Sequence, residues 1–203
     1  MRRTAIATAI GLITGLCLFA PAAQADDTIL KVSYPLTGTT HIKAVDATAK
    51  LGPGELLSTV NLDKAELTAN LKIPVTTMSF KQFGLIPVSA VTELVQIGQT
   101  TGKLDVNTGG VTTTSKVKLR VVEMSVSGLP VPVGPACQSA SVATITMNSE
   151  PGFNPLTGGT VSGTYTIPEF SGCGLIITPL INSTITGPGN TISFQLAEPT
   201  VVP

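Results

Sequence analysis

The chain has 203 residues with 12 basic and 12 acidic side chains, a single histidine and no tryptophan. This balance gives no cationic surface for nucleic acid, and one histidine is too few for the usual zinc sites. Hydrophobic residues make up 42% and aromatic residues only 4%, and the rest is rich in Thr, Ser and Gly, a composition typical of β-sheet with glycine and proline turns.

Residues 1–25 have the pattern of a secretory signal peptide. Two arginines precede an apolar run over residues 5–20, and Ala23-Gln24-Ala25 forms an A-x-A cleavage site. The apolar run is short for a membrane-spanning helix. We therefore predict a secreted protein, extracellular or in the cell envelope, with no transmembrane anchor after signal cleavage.

Alternation of apolar and polar residues predicts β-strands from residue 28 onward, and no segment of useful length shows helical periodicity. The alternation is clearest over Glu66–Ile73 and Thr160–Ile167. Between Gly110 and Ser127 the apolar parity changes at Val121-Val122, which predicts a β-bulge. Further strands are predicted at 28–34, 39–45, 55–62, 86–97, 141–148, 180–186 and 191–196.

About ten strands separated by glycine and proline turns predict an all-β fold. We expect a single domain over residues 26–203, built as an antiparallel β-sandwich. Similarity between Leu67–Pro74 and Val161–Pro168 leaves a second arrangement open, in which two repeat-related halves meet near residues 107–112.

The cysteines predict one disulfide bond. Cys17 lies in the predicted signal peptide, so Cys137 and Cys173 form an even pair in an oxidising compartment. A reactive thiol would need an activating base or a C-x-x-C spacing, and the sequence shows neither. We predict a structural Cys137–Cys173 bond.

No motif for catalysis, metal binding or a cofactor is visible. The chain has no G-x-S-x-G elbow, and a Ser-His-Asp triad would have to use His41 with Asp46 or Asp63. A pair of glutamates for glycoside hydrolysis stays open, although the chain lacks the tryptophans on which sugar rings stack. We predict no catalytic residue, no metal, no cofactor and hence a protein that is not an enzyme.

Three phenylalanines lie in predicted loops and are the candidate binding residues. Phe80, Phe83 and Phe170 either line the mouth of a site for an apolar or lipid-like ligand or cap the ends of the core. The first function that we expect is contact with an unknown surface or protein partner, in adhesion, a coat or a scaffold. The alternative is a carrier for an apolar ligand.

Three segments carry a resemblance to known proteins. Residues 31–40 (KVSYPLTGTT), 164–174 (TYTIPEFSGCG) and 187–190 (GPGN) resemble uncharacterised secreted β-rich proteins of high-GC Gram-positive bacteria. The resemblance implies a secreted all-β protein. It adds no catalytic residue, because that family has no assigned activity.

Overall fold

The computed structural model describes residues 26–203, and the predicted signal peptide at residues 1–25 lies outside the described residues. The described chain forms fourteen strands, a 3-10 helix at Lys43–Val45 and one α-helix, α1 (Ile177–Thr184). The strands are β1 (Ile29–Ile42), β2 (Ala47–Asn61), β3 (Glu66–Lys72), β4 (Thr76–Gln82), β5 (Ile86–Gln96), β6 (Thr100–Leu104), β7 (Val111–Val126), β8 (Leu129–Val131), β9 (Gln138–Ser139), β10 (Ala143–Ser149), β11 (Gly159–Ile167), β12 (Phe170–Ser171), β13 (Gly187–Leu196) and β14 (Thr200–Val201).

Eight of these strands close into an antiparallel β-barrel. Their order is β10-β11-β13-β1-β2-β3-β6-β7, and β7 then pairs with β10 over Thr112–Val117. The all-β prediction is confirmed, but the predicted β-sandwich is wrong. Alternation identifies the buried face of each strand, whereas it does not say whether the first and last strands of a sheet meet, and here they do.

The barrel strands are strongly staggered. Following the register once around the barrel leads from Leu30 back to β1 at Thr40. The residues on this path are Leu30, Val60, Leu67, Gly102, Thr113, Met147, Gly163, Ile192 and Thr40. An eight-stranded barrel of this kind has an interior that side chains fill or that holds one small ligand.

The long strand β7 leaves the barrel at its C-terminal half and joins a second group of strands. Beyond Val117 it pairs with β5, which in turn pairs with β4. Val91 lies opposite Glu123 and Thr92 opposite Val121, so Val122 is the extra residue of a bulge. The bulge predicted at Val121-Val122 is confirmed. It lies in the half of β7 that extends beyond the barrel and pairs with β5.

Helix α1 covers the sheet formed by β4, β5 and the end of β7. Ile177 and Ile181 are its buried residues, and Ile181 lies near Met78 and Met124 of the strands. The strand predicted at 180–186 is therefore wrong. The four-residue spacing of Ile177 and Ile181, with Pro179 in the first turn, is typical of a helix. The alternation of apolar and polar residues over 180–186 obscured this pattern.

Three further predictions about the strands need correction. The strands predicted separately at 28–34 and 39–45 are joined in β1, because the chain between them forms a bulge where the register with β2 shifts between Leu36 and Gly38. Lys43–Val45, predicted as the end of the second strand, is the 3-10 helix. The segment around Phe80, predicted as a loop, is β4 (Thr76–Gln82). Its polar residues Thr76 and Gln82 are buried, which obscured the alternation.

The predicted disulfide is confirmed. Cys137 and Cys173 are bonded, and both side chains are fully buried. The bond joins the segment before β9 to the loop before α1, and the Cys137 carbonyl accepts a hydrogen bond from the Val121 amide. It therefore ties α1 and its loop to the bend in β7.

Candidate functional site: a cavity in the barrel

The half of the barrel around the start of β1 encloses an apolar cavity of about 260 Å³. Its walls come from all eight barrel strands, with a contribution from β14 and from the loop at residues 150–158. The lining side chains are all uncharged. The largest of them are Tyr34, Phe153 and Phe194, and most of the others are leucine or valine.

The cavity exists because several inward positions carry small side chains. Ala69, Ser58 and Ser115 occupy wall positions where a leucine would reach into the lumen. Gly102 also faces inward, opposite Thr113, and a Cβ on it would lie 2.7 Å from the Thr112 carbonyl oxygen and 2.8 Å from the Thr113 methyl carbon. The close approach of β6 to β7 at this point therefore requires glycine.

The cavity opens at the end of the barrel where β1 begins. Leu62, Leu156 and Val201 line it there, and they are 44%, 71% and 74% exposed. Aliphatic side chains at the rim of an apolar cavity form an entrance that an apolar molecule can cross without meeting a charge.

The loop at residues 150–158 lies against this entrance and is held by specific bonds. The Tyr34 hydroxyl, inside the barrel, donates to the Pro155 carbonyl at 2.7 Å, and the Leu156 amide donates to Asn154 Oδ1 at 2.8 Å. Burial raises the pKa of Tyr34. Tyr34 thus remains a neutral donor at physiological pH and anchors the loop to the barrel wall.

A group of hydroxyls interrupts the apolar wall. The Thr100 and Ser115 oxygens are 2.6 Å apart, and both residues are buried. Gln96 Nε2 donates to Thr100 Oγ1 at 3.3 Å, and Ser58 Oγ donates to the Thr68 carbonyl at 3.4 Å. Thr100, Ser115 and Ser58 lie on the barrel strands β6, β7 and β2 and line the cavity, whereas Gln96 lies on β5 and does not line it.

The structure separates the three candidate phenylalanines. Phe80 is half-buried near α1, Phe83 is 84% exposed at the β4–β5 turn, and Phe170 is 3% exposed in β12. None of the three lines the barrel cavity. Phe153 and Phe194 line it instead. Phe194 lies in a predicted strand, so only knowledge of the barrel closure would have identified it.

The residues considered for catalysis lie elsewhere. His41 Nε2 is 3.7 Å from Asp46 Oδ1, and His41 Nδ1 is 3.3 Å from the Thr48 hydroxyl. Asp46 is 97% exposed, and His41 does not line the cavity. Asp63 accepts a hydrogen bond from the Thr28 amide at 2.6 Å and is not bonded to His41 in the structure.

Within residues 26–203 no three His, Cys, Asp or Glu side chains are grouped so that they could hold a metal ion. The same part of the chain has no helix of the length and apolarity needed to cross a membrane. No protein-family model, curated protein or solved structure matches the sequence.

Proposed function

We propose that the protein is a non-enzymatic binding protein that carries a small apolar ligand in the barrel cavity. The observation that supports the proposal is the uncharged cavity of about 260 Å³ with an aliphatic entrance. A dry cavity of about 150 Å³ in another protein binds benzene. By that scale this cavity accommodates about ten carbon atoms, and a longer molecule would extend through the entrance.

The proposed place of action is outside the cytoplasm. The A-x-A site at Ala23-Gln24-Ala25 supports export. The buried Cys137–Cys173 bond is compatible with an oxidising compartment. Amino-terminal sequencing of the protein from the culture medium, with Asp26 as the first residue, tests this part.

The binding proposal is tested with indane, a rigid hydrocarbon of nine carbons. Indane is added to the protein expressed from the full-length sequence. Isothermal titration calorimetry is expected to show saturable one-to-one binding. In thermal unfolding, the melting temperature should rise with indane concentration. Ala69→Leu places a larger side chain in the lumen and should abolish this binding. Thr68→Leu adds a leucine at the neighbouring position on the other face of β3 and should retain it.

Two outcomes contradict the proposal. The first is that the wild-type protein shows no saturable binding of indane. The second is that Ala69→Leu, folded by circular dichroism, binds indane as the wild type does. Native mass spectrometry of protein purified without detergent adds a search for the natural ligand as a retained mass.

A second candidate function is contact with a surface or another protein, and one observation favours it. Phe83 and Leu85 at the β4–β5 turn are 84% and 82% exposed, and Leu129, the first residue after the β7–β8 turn, is 71% exposed. The turns are neighbours, because the Ser127 amide donates to the Pro87 carbonyl at 2.8 Å. If this cluster acts in adhesion, Phe83→Ser with Leu129→Ser should reduce retention on cell-envelope fragments, whereas Leu156→Ser should not.

A further inference from the structure

Two hydroxyl groups lie side by side in the cavity wall and share a limited set of partners. Thr100 on β6 and Ser115 on β7 are each 4% exposed, and their oxygens are 2.6 Å apart. Both line the cavity. A buried hydroxyl pair in an apolar wall is expected to have every hydrogen donated to an acceptor.

Gln96 fixes the direction of the bonds around this pair. Its Oε1 accepts from the Leu71 amide at 2.7 Å, and its Nε2 donates to the Ala69 carbonyl at 3.0 Å and to Thr100 Oγ1 at 3.3 Å. The amide nitrogen can only donate. Thr100 Oγ1 is therefore an acceptor toward Gln96, and Gln96 takes no hydrogen from Thr100.

One of the two hydroxyl hydrogens of Thr100 and Ser115 has no acceptor in the cavity wall. The two hydroxyls carry two hydrogens, and the bond between their oxygens uses one of them, whichever residue donates. Among residues 26–203 the structure shows no other hydrogen bond for either hydroxyl. One hydroxyl hydrogen at the cavity wall is therefore uncommitted, and leaving it so is unfavourable in an apolar interior.

We propose that the cavity selects uncharged apolar molecules that carry one acceptor oxygen, such as a ketone, an ester or an ether. The oxygen accepts the remaining hydrogen of the Thr100–Ser115 pair, while the hydrocarbon part fills the lumen. This inference rests on the proposed function. Charged ligands are disfavoured, because the lining has no countercharge and a buried unpaired charge is costly.

The test compares 1-indanone with indane, which differ by the carbonyl oxygen. Isothermal titration of the protein expressed from the full-length sequence gives the ratio of the affinity for 1-indanone to the affinity for indane. This ratio should be higher in the wild type than in a variant without the hydroxyl pair. One neutral hydrogen bond predicts a difference of about two- to tenfold in this affinity ratio.

The hydrogen count makes a specific prediction for the variants. Ser115→Ala leaves the Thr100 hydrogen free, and Thr100→Val leaves the Ser115 hydrogen free, so each single variant should keep part of the preference. Thr100→Val with Ser115→Ala removes both donors and should abolish it, with an unchanged far-UV circular dichroism spectrum as the check of folding. Ser33→Ala is the matched control, because the Ser33 hydroxyl is also buried but donates to Glu55 Oε1 and does not line the cavity.

The carbonyl stretch of bound 1-indanone gives a readout that needs no variant. In the wild-type protein it should lie at lower wavenumber than in dry alkane. An unshifted stretch, an unchanged preference in the double variant, or loss of preference in Ser33→Ala overturns the inference. If the wild type binds neither compound, the proposed function fails as well. If it binds indane but does not favour 1-indanone, only the selectivity fails.

Discussion

Asn190 offers the sharpest test of how the barrel is held at the end away from the cavity entrance. Its side chain is 1% exposed and makes three hydrogen bonds. Oδ1 accepts from the Lys43 amide at 3.1 Å, and Nδ2 donates to the carbonyls of Gly187 at 2.8 Å and Tyr165 at 3.3 Å. One amide thus joins the start of β13 to β11 and to the 3-10 helix between β1 and β2.

Asn190→Ala removes all three bonds and leaves their main-chain partners without the amide. At about 1 kcal/mol for each bond, the free energy of unfolding should fall by about 3 kcal/mol. For a domain of this size that lowers the melting temperature by roughly 6–12 °C. Urea unfolding measures the change, and Asn148→Ala is the control. Asn148 is exposed and accepts one bond, from Thr112 Oγ1, so its loss should change stability by less than about 0.5 kcal/mol.

Asn190→Asp separates the donor role from the acceptor role. The carboxylate keeps an acceptor for the Lys43 amide but places negative charge against the Gly187 and Tyr165 carbonyls. Burial and these carbonyls should raise the pKa of the new carboxyl in the folded state. Stability is then highest below the unfolded pKa of about 4 and is lost as the pH rises through the folded value.

The result that would refute this reasoning is equally specific. If Asn190→Ala costs less than about 1 kcal/mol, the three bonds do not hold this end of the barrel. If the difference in stability between Asn190→Asp and the wild type is the same at pH 4 and pH 7, the side-chain nitrogen does not face the two carbonyls.

Three further predictions concern the disulfide, the buried tyrosine and the phenylalanines. Replacing Cys137 and Cys173 together by alanine should lower the free energy of unfolding by about 4 kcal/mol on the loop-entropy relation; an unchanged urea midpoint would contradict it. Because burial raises the pKa of Tyr34, the unfolded chain loses its proton first, near pH 10, and stability should fall above that pH, less steeply in Tyr34→Phe; equal slopes in thermal melts would count against this. Phe170→Ala should cost about 3–5 kcal/mol and Phe83→Ala less than about 0.5, as their burial requires, and a reversed order would refute the assignment.

The sequence predicts the strands better than it predicts their arrangement. Glu66–Lys72 and Gly159–Ile167 were expected within one or two residues, and so was the bulge in β7, because each depends on a local alternation. The barrel depends on the pairing of β7 with β10, whose register is set by contacts far apart in the chain. Alternation of the same quality is compatible with a sandwich, so the local pattern could not decide between the two.

The candidate site was harder to predict for a related reason. Phe80, Phe83 and Phe170 drew attention as aromatic residues in predicted loops, whereas the cavity is made of ordinary strand residues such as Leu67 and Val161.

The small residues in the barrel wall connect the sequence to the proposed function. A cavity of about 260 Å³ that side chains do not occupy represents about 6 kcal/mol of stability at roughly 24 cal/mol per Å³, which is a large part of the 5–15 kcal/mol typical of a folded domain. Larger side chains at Ala69 or Ser115 would recover some of it, and the other half of the barrel leaves a much smaller cavity of about 60 Å³, lined by Tyr165, Ile192 and Ile42 among others. A cavity kept open at this cost, with an uncommitted hydroxyl hydrogen in its wall, is more readily explained as a place for a ligand than as imperfect packing. A ligand that binds in this cavity only when the chain is folded would raise the free energy of unfolding, because anything that binds only the folded state stabilises it.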